Sequence, residues 1–164
     1  MAKVIAVCKC AVCGTDFERV EHFRNPGMAD DWKKWAEEAF VECTACRAKR
    51  KSAENAAKAA TYIKRYGLPE ITGKSDRQIR RATELRNCWL AEEDEETLES
   101  YDFLEGALRD PKHPLRARLQ KVADEQADGD LDEAADFIIM RYRLAVCRAL
   151  WHESSASVII HTLS

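Results

Sequence analysis

The chain has 164 residues and a formal net charge of −3, with 46% hydrophobic and 34% charged residues, which is typical of a globular protein of one domain or two small ones. No apolar run approaches the roughly 18 residues of a membrane span, and the stretch 1–7 is too short for a secretory signal. We therefore expect a cytoplasmic protein without a membrane partner, whose thiols stay reduced.

The first 40 residues predict a short β-hairpin followed by a helix. Residues 3–9 are rich in Val and Ile, and residues 15–20 can form the returning strand, with Phe17 and Arg19 assigned to opposite faces. The tripeptide at 25–27, Asn-Pro-Gly, is interpreted as a break in the chain. The expected helix then runs from Asp30 or Asp31 to Phe40, with an apolar stripe at Trp32, Trp35, Ala36 and Ala39 or Phe40.

The remainder of the chain predicts mainly helices. A long helix is expected to begin with Thr44 as its N-cap and to end at Gly67. The capping-box pattern Ser75-x-x-Gln78 predicts the start of a third helix. Further helices are expected at 97–109, from Pro114 at a first helical position to about 128, and at 131–151, followed by a strand at 157–163 that extends the hairpin.

Four of the seven cysteines form two C-x-x-C pairs, Cys10 with Cys13 and Cys43 with Cys46. Two pairs of this spacing can provide four thiolates to one tetrahedral ion, and Zn²⁺ is the usual occupant. The first pair lies in a tight turn before Gly14, and the second lies in the first turn of a helix, where the dipole and exposed N–H groups favour thiolates. This pattern predicts a treble-clef module with a structural zinc ion. A redox dithiol or plain thiols are the alternatives.

These features together predict an α+β fold that is mostly α. An N-terminal treble-clef zinc module, built from the short hairpin and a helix, is expected in residues 1–67. A helical domain packed on that module is expected in residues 68–164. Cys88 and Cys147 lie on apolar stripes and are interpreted as core thiols. Cys8 could substitute as a metal ligand, but its spacing from Cys10 is poor for that role and it is interpreted as a strand residue.

The sequence around both cysteine pairs resembles a known domain. Residues 10–17, Cys-Ala-Val-Cys-Gly-Thr-Asp-Phe, and residues 42–51, Glu-Cys-Thr-Ala-Cys-Arg-Ala-Lys-Arg-Lys, resemble the small treble-clef zinc-binding domain of uncharacterised bacterial and phage proteins. Residues 67–86, which contain Leu-Pro, Thr-Gly and Gln-Ile, are similar to a helical segment often attached to that domain. The resemblance implies the same zinc ligands and a phage or mobile-element context, but no activity.

Charge is distributed unevenly along the chain. Residues 43–90 hold 12 Lys/Arg against 4 Asp/Glu, whereas residues 91–136 hold 5 against 16. Basic helices that share one side would form a stripe suited to phosphate contacts. Solvated helix surfaces, or neutralisation of one segment by the other, would explain the same pattern. The candidate nucleic-acid-binding residues are Arg47, Lys49, Arg50, Lys51, Arg77, Arg80 and Arg81.

An acidic block follows the basic segment and is either a solvated helix flank or an imitation of a phosphate backbone. It comprises Glu92, Glu93, Asp94, Glu95, Glu96, Glu99 and Asp102.

We expect a non-enzymatic zinc-binding protein that contacts nucleic acid or a nucleoprotein complex. The alternative is a phage-borne inhibitor of a host nucleic-acid-guided defence complex, with the logic of anti-CRISPR proteins, which binds a nuclease complex through its acidic or apolar surface. An enzyme ranks third and would require a pocket that holds His22, His113 or His152 beside a carboxylate.

Overall fold

A computed structural model describes residues 2–142 and 144–164. It divides into two compact units, Met1–Glu54 and Asn55–Ser164, here called unit 1 and unit 2, and the boundary falls inside a long helix. The division after residue 67 that the sequence predicts falls just beyond the end of the same helix and stays a prediction. Each unit has its own hydrophobic core, and the two are described separately.

Unit 1 is a β-hairpin covered on one face by a helix. Strand β1 (Ala2–Lys9) pairs antiparallel with β2 (Asp16–Phe23), so that β1 begins opposite the end of β2. Helix α1 (Pro26–Ala39) packs on the hairpin face that carries Ala6 and Cys8. Small side chains at the contact allow the helix and the strands to approach closely. The core comprises Ala6, Cys8 and Ala36, flanked by Phe17, Trp32 and Phe40.

The start of α1 differs from the sequence-based expectation. The helix begins at Pro26, four residues before Asp30, so the interpretation of residues 25–27 as a break is wrong. Asn25 is the N-cap, and its side chain accepts a hydrogen bond of 2.9 Å from the Gly27 N–H. Proline suits the first helical position because its φ angle is already helical and its missing N–H would have no partner inside the helix.

Unit 2 is helical in the part that the structure describes. Helix α2 (Thr44–Tyr66) runs from unit 1 into unit 2, and six helices follow it. Trp151 is buried in the unit 2 core, with its ring centroid 4.9 Å from that of Tyr101 and 5.0 Å from that of Tyr66. The six helices are α3 (Asp76–Glu92), α4 (Glu95–Arg109), α5 (Arg116–Gln126), α6 (Leu131–Tyr142), α7 (Ala145–Leu150) and α8 (Ala156–Leu163).

Two helix boundaries follow the predicted capping chemistry. Helix α2 ends at Tyr66, the following Gly67 has φ +64°, and the N–H of Leu68 donates to the Ile63 carbonyl at 3.1 Å, as in a Schellman motif. Ser75 caps α3 by accepting from the Gln78 N–H, as predicted. The Gln78 side chain reaches back to the N–H of Lys74 rather than to that of the cap.

Two expectations for the C-terminal part are wrong. The single helix expected at 131–151 is divided into α6 and α7, and the N–H of Leu144 bonds the Ile139 carbonyl at 2.9 Å. Ile139, Leu144 and Leu150 are buried on the two sides of this break, whereas Phe137, Met140 and Val146 of the same segment are exposed. The strand expected at 157–163 is helix α8, which packs against α3 and buries Ala156 and Ile159.

The predicted fold class is confirmed. The described chain is mostly helical, with one two-stranded antiparallel hairpin at its N-terminal end and a cysteine cluster that follows β1. Smaller differences concern helix starts. Helix α4 begins at Glu95 rather than Thr97, and α5 begins at Arg116, two residues after Pro114.

Candidate metal centre

The first cysteine pair lies in the turn that joins β1 to β2. The N–H of Cys10 donates to the Thr15 carbonyl at 3.0 Å, and the Cys10 carbonyl accepts from the Gly14 N–H at 2.8 Å. Gly14 has φ +73°, a backbone conformation that is costly for residues with a side chain. These bonds close a tight turn that directs the sulfurs of Cys10 and Cys13 to one side.

The second pair is built on the start of α2. The helix begins at Thr44, so the predicted N-cap is displaced by one residue, and Cys43 takes that place. The sulfur of Cys43 accepts the N–H of Cys46 at 3.5 Å, which is the contact that a capping oxygen normally makes. The Cys43 thiol therefore caps the helix while it faces the other cysteines.

The four sulfurs converge. The Sγ atoms of the four cysteines all lie within 4.8 Å of one another, and that of Cys13 is 3.8 Å from that of Cys43. A tetrahedral ion with metal–sulfur bonds of about 2.3 Å places neighbouring sulfurs about 3.8 Å apart. All seven cysteines of the chain are free thiols. The geometry therefore fits one metal ion bound by Cys10, Cys13, Cys43 and Cys46.

Hydrogen bonds to the sulfurs shift the pKa values of the cysteine thiols in different directions. The pKa of Cys10 is lowered to about 6, first by the backbone N–H of Cys43 and then by that of Cys13. The pKa of Cys13 is lowered, first by the side chain of Thr15. The pKa of Cys46 is raised to about 12, first by hydrogen bonding with Cys43 and then with Cys13. Four adjacent thiols do not all ionise by themselves, and a bound divalent cation compensates the charge, which couples metal binding to proton release.

The donor set is closed. Four protein ligands complete a tetrahedron and leave no position for water or substrate, which is typical of structural rather than catalytic metal sites. Cys8 lies outside the cluster, since it is buried in the core of unit 1 with its sulfur 3.4 Å from the Ala36 carbonyl oxygen. Among residues 2–142 and 144–164, no other group of three or more His, Cys, Asp or Glu side chains is placed to hold a metal.

A basic pocket lies beside the start of α2 within unit 1. It has a volume of about 290 Å³, and no carboxylate lines it. Thr44, Arg47 and Lys51 reach it from one face of the helix, as their spacing of three to four residues requires. The fourth polar group is Arg19 of β2, which is not among the predicted nucleic-acid-binding residues. We call the site formed by Arg19, Thr44, Arg47, Ala48 and Lys51 the basic pocket.

Arg19 is held by aromatic rings. Its guanidinium carbon lies 4.7 Å from the Phe40 ring centroid and 5.7 Å from that of Phe17. Its Nε atom is buried and has no hydrogen-bond partner among the described residues. The assignment of Phe17 and Arg19 to opposite faces of the strand is wrong, because residues two apart in a strand share a face. That alternation was the signal in the sequence that could have identified Arg19.

The other predicted basic residues differ in their surroundings. Arg50 bonds Glu42 at 3.0 Å and Glu54 at 2.8 Å, whereas Lys49 is exposed. In unit 2, α3 exposes three arginines, but Arg86 of the same helix is buried and donates to the Pro69 carbonyl at 2.6 Å. The exposed arginines of α3 are Arg77, Arg80 and Arg81.

Two histidines meet carboxylates in a pocket of about 260 Å³ in unit 2. The Nε2 atom of His152 lies 3.0 Å from Glu105, and His113 lines the same pocket with Asp102. Both ring nitrogens of His152 lie within 3.3 Å of the Arg109 guanidinium, and Nδ1 of His113 accepts a backbone N–H. The pocket therefore holds histidines beside carboxylates, as an enzyme would require, although both imidazoles already have partners within unit 2 and His152 is half exposed. The prediction that the protein is not an enzyme stays a prediction.

No family model, no curated protein and no solved structure matches this chain. The resemblance to the treble-clef domain of bacterial and phage proteins therefore stays a prediction. Of the helices in the described chain, none combines the length and apolar character needed to cross a membrane.

Proposed function

We propose that the four cysteines hold a structural Zn²⁺ ion and that the protein contacts nucleic acid, alone or within a nucleoprotein complex, through the basic pocket. The observation that carries the proposal is the convergence of Arg19 and Arg47 beside the first turn of α2 in a pocket without carboxylates. The metal ion fixes the hairpin turn to the helix start and so holds both parts of the surface in place.

Zinc is the ion that the ligands favour. Four thiolates in a closed tetrahedral set select Zn²⁺ over the hard cations Mg²⁺ and Ca²⁺, which take oxygen ligands. Iron is the other ion with a preference for four thiolates. Binding of Co²⁺ in place of the native ion would report a tetrahedral site by its visible absorption, and metal analysis of the purified protein would identify the native ion.

A phosphate group is the ligand that suits the basic pocket. Arginine presents planar donors that match phosphate oxygens, and the N-terminus of a helix attracts anions. Arg19 and Arg47 form no ion pair with any residue in the described part of the chain, so their charges are available to a ligand. Stacking on Phe40 also keeps the Arg19 guanidinium oriented before a ligand arrives.

The predicted basic residues are expected to contribute unequally to phosphate binding. Arg47 and Lys51 line the basic pocket, and Lys49 is exposed near it in sequence. Arg50 is expected to contribute less because two carboxylates already hold its guanidinium. Arg77, Arg80 and Arg81 would provide a second set of phosphate contacts from α3.

No specific observation favours the inhibitor alternative. Part of the acidic block is engaged within unit 2, where Glu93 accepts from the Trp89 indole and Glu95 and Glu99 pair with Arg65. An imitation of a phosphate backbone needs carboxylates that face a partner. The alternative stays a prediction that a search for bound nuclease complexes would test.

Salt-dependent binding tests the nucleic-acid proposal. Metal-loaded protein is titrated into fluorescent 20-nucleotide RNA, single-stranded DNA and duplex DNA at several salt concentrations. We expect affinity to fall steeply with salt, and Arg47→Gln to reduce the logarithmic slope by about one. The single variant K33Q, at an exposed lysine on α1, removes the same charge and is the matched control in the same unit.

Two outcomes would overturn the proposal. One is the absence of binding to all three nucleic acids at low salt by protein that retains its metal. The other is equal loss of affinity in Arg47→Gln and in the α1 control, which would indicate attraction by net charge without a site.

A further inference from the structure

Unit 2 contains a cavity that the metal centre and the basic pocket do not involve. It has a volume of about 570 Å³ and lies among α4, α5 and α6. Leu104, Ala107 and Leu119 form its buried floor, and Val122 and Ile138 are half-buried in its wall. Cavities of about 300–1,000 Å³ with apolar walls and few polar groups are typical of small-molecule sites.

The polar groups of this cavity are positive. Arg118 of α5 and Arg141 of α6 line it, together with the amide of Gln126. No Asp or Glu is among the described residues that line it, although residues 91–136 carry 16 acidic side chains against 5 basic ones. Neither arginine forms an ion pair within residues 2–142 and 144–164. Two unpaired guanidinium groups beside an apolar cavity indicate a ligand that is apolar at one end and anionic at the other.

We propose that this cavity binds a medium-chain fatty acid, with the acyl chain on the floor of leucine and alanine side chains and the carboxylate between Arg118 and Arg141. Arginine forms paired hydrogen bonds with a carboxylate, which are stronger than bonds between neutral groups. Burial of the chain provides affinity in proportion to its apolar area. The site is independent of the proposed nucleic-acid contact.

The charge pattern favours this ligand over an uncharged one. An alkane or alcohol would gain the same apolar contacts but would leave both guanidinium groups without a carboxylate. The cavity should therefore prefer decanoate to decanol, although the two share a ten-carbon chain. The preference should depend on the two arginines, whereas the binding of decanol should depend on the walls alone.

Calorimetric titration of the full-length, metal-loaded protein with decanoate and with decanol tests the proposal. We expect the double variant R118Q/R141Q to bind decanoate about ten-fold more weakly and to bind decanol unchanged. Both arginines are exposed, so the variant should not alter the core. The matched control K112Q/K121Q removes two exposed positive charges that do not line the cavity.

A second variant tests the cavity itself. Val122→Trp fills the space from the half-buried wall and should abolish the binding of both ligands. Circular dichroism reports whether this variant folds. If it does not fold, the proposal is tested by the R118Q/R141Q variant alone. The proposal is overturned if decanoate does not bind at millimolar concentration, if decanol binds as tightly as decanoate, or if R118Q/R141Q and K112Q/K121Q weaken decanoate binding equally.

Discussion

The backbone N–H of Cys43 donates a hydrogen bond to the sulfur of Cys10 at 3.4 Å, and so connects the two C-x-x-C pairs across 33 residues of chain. The N–H of Ala11 donates to the Val41 carbonyl at 2.9 Å beside it. The turn of the hairpin and the start of α2 are thus joined by backbone contacts as well as by the four sulfurs. A metal ion would be bound where these contacts already bring the two segments together.

Loss of one ligand should unfold unit 1. We expect Cys46→Ser to lose the metal and the ordered hairpin, because structural zinc sites contribute about 10 kcal/mol or more to folding. Metal analysis and circular dichroism measure both effects, and a chelator should reproduce them in the unchanged protein. Cys88→Ser is the control, because Cys88 lies outside the cluster and is exposed, so its assignment to the core is wrong. A serine there can still accept from the Asn55 side chain, which lies 3.4 Å from the Cys88 sulfur. Retention of one equivalent of metal by Cys46→Ser would contradict the four-sulfur assignment.

The cysteine cluster could be predicted from sequence because its geometry is local. Two cysteines separated by two residues face the same side of a turn whatever the remaining fold, and two such pairs complete a tetrahedron. The place of Arg19 in the basic pocket could not be predicted in the same way. Its position depends on the strand face and on where α2 begins relative to β2, and neither follows from spacing alone. The pocket of Arg19 and Arg47 therefore needed the structure.

The C-terminal part could not be predicted for a related reason. Residues 158–160, Val-Ile-Ile, have side chains that favour strands, but propensity is overridden when a helix buries more surface. Ala156 and Ile159 are three residues apart and face α3 together, which a strand would not allow. The long segment 131–151 is apolar on too many sides for one helix to bury, and its division into α6 and α7 depends on the surrounding helices.

The helical packing of α8 predicts unequal effects at neighbouring residues. Ile159 is fully buried, so we expect Ile159→Ala to lower the free energy of unfolding by about 2–4 kcal/mol. Val158 is 41% exposed, and Val158→Ala should change it by less than about 1 kcal/mol. Urea unfolding followed by circular dichroism measures both. Similar losses for the two variants would argue against the packing of α8 described above.

The C-terminus of α2 should be sensitive to a side chain at Gly67. With φ at +64°, alanine at this position is expected to cost about 1–2 kcal/mol, although no atom lies near the added methyl group. Gly27→Ala is the control, because Gly27 does not have a positive φ and its added methyl group would meet only ordinary contacts. Thermal unfolding compares the two variants. A neutral Gly67→Ala would show that the chain leaves α2 in another conformation.

Glu105 should make part of the stability of unit 2 depend on pH. Burial acts to raise its pKa, but hydrogen bonds from His152 and Tyr101, together with the charge of Arg109, lower it below the ordinary value of 4.5. A carboxylate with a lowered pKa stabilises the fold above its unfolded pKa, and this stabilisation is lost as the pH falls through its folded pKa. The stabilisation should therefore be complete at pH 6 and should decline below about pH 4.5.

The comparison of wild type with Glu105→Gln isolates this group. Glutamine keeps an oxygen that can accept from the Tyr101 hydroxyl, 2.7 Å away in the native protein, but it cannot ionise. We expect the variant to be about 1 kcal/mol less stable at pH 6 and the difference to shrink towards pH 3.5, as measured by urea unfolding. Acid also protonates the cysteine thiolates, but it does so in both proteins, and the difference between them cancels that effect. The control is Glu125→Gln, which alters an exposed ion pair with Lys121 and should show no such trend. If the difference in stability between wild type and Glu105→Gln does not change with pH, the Glu105 charge does not have the role assigned to it.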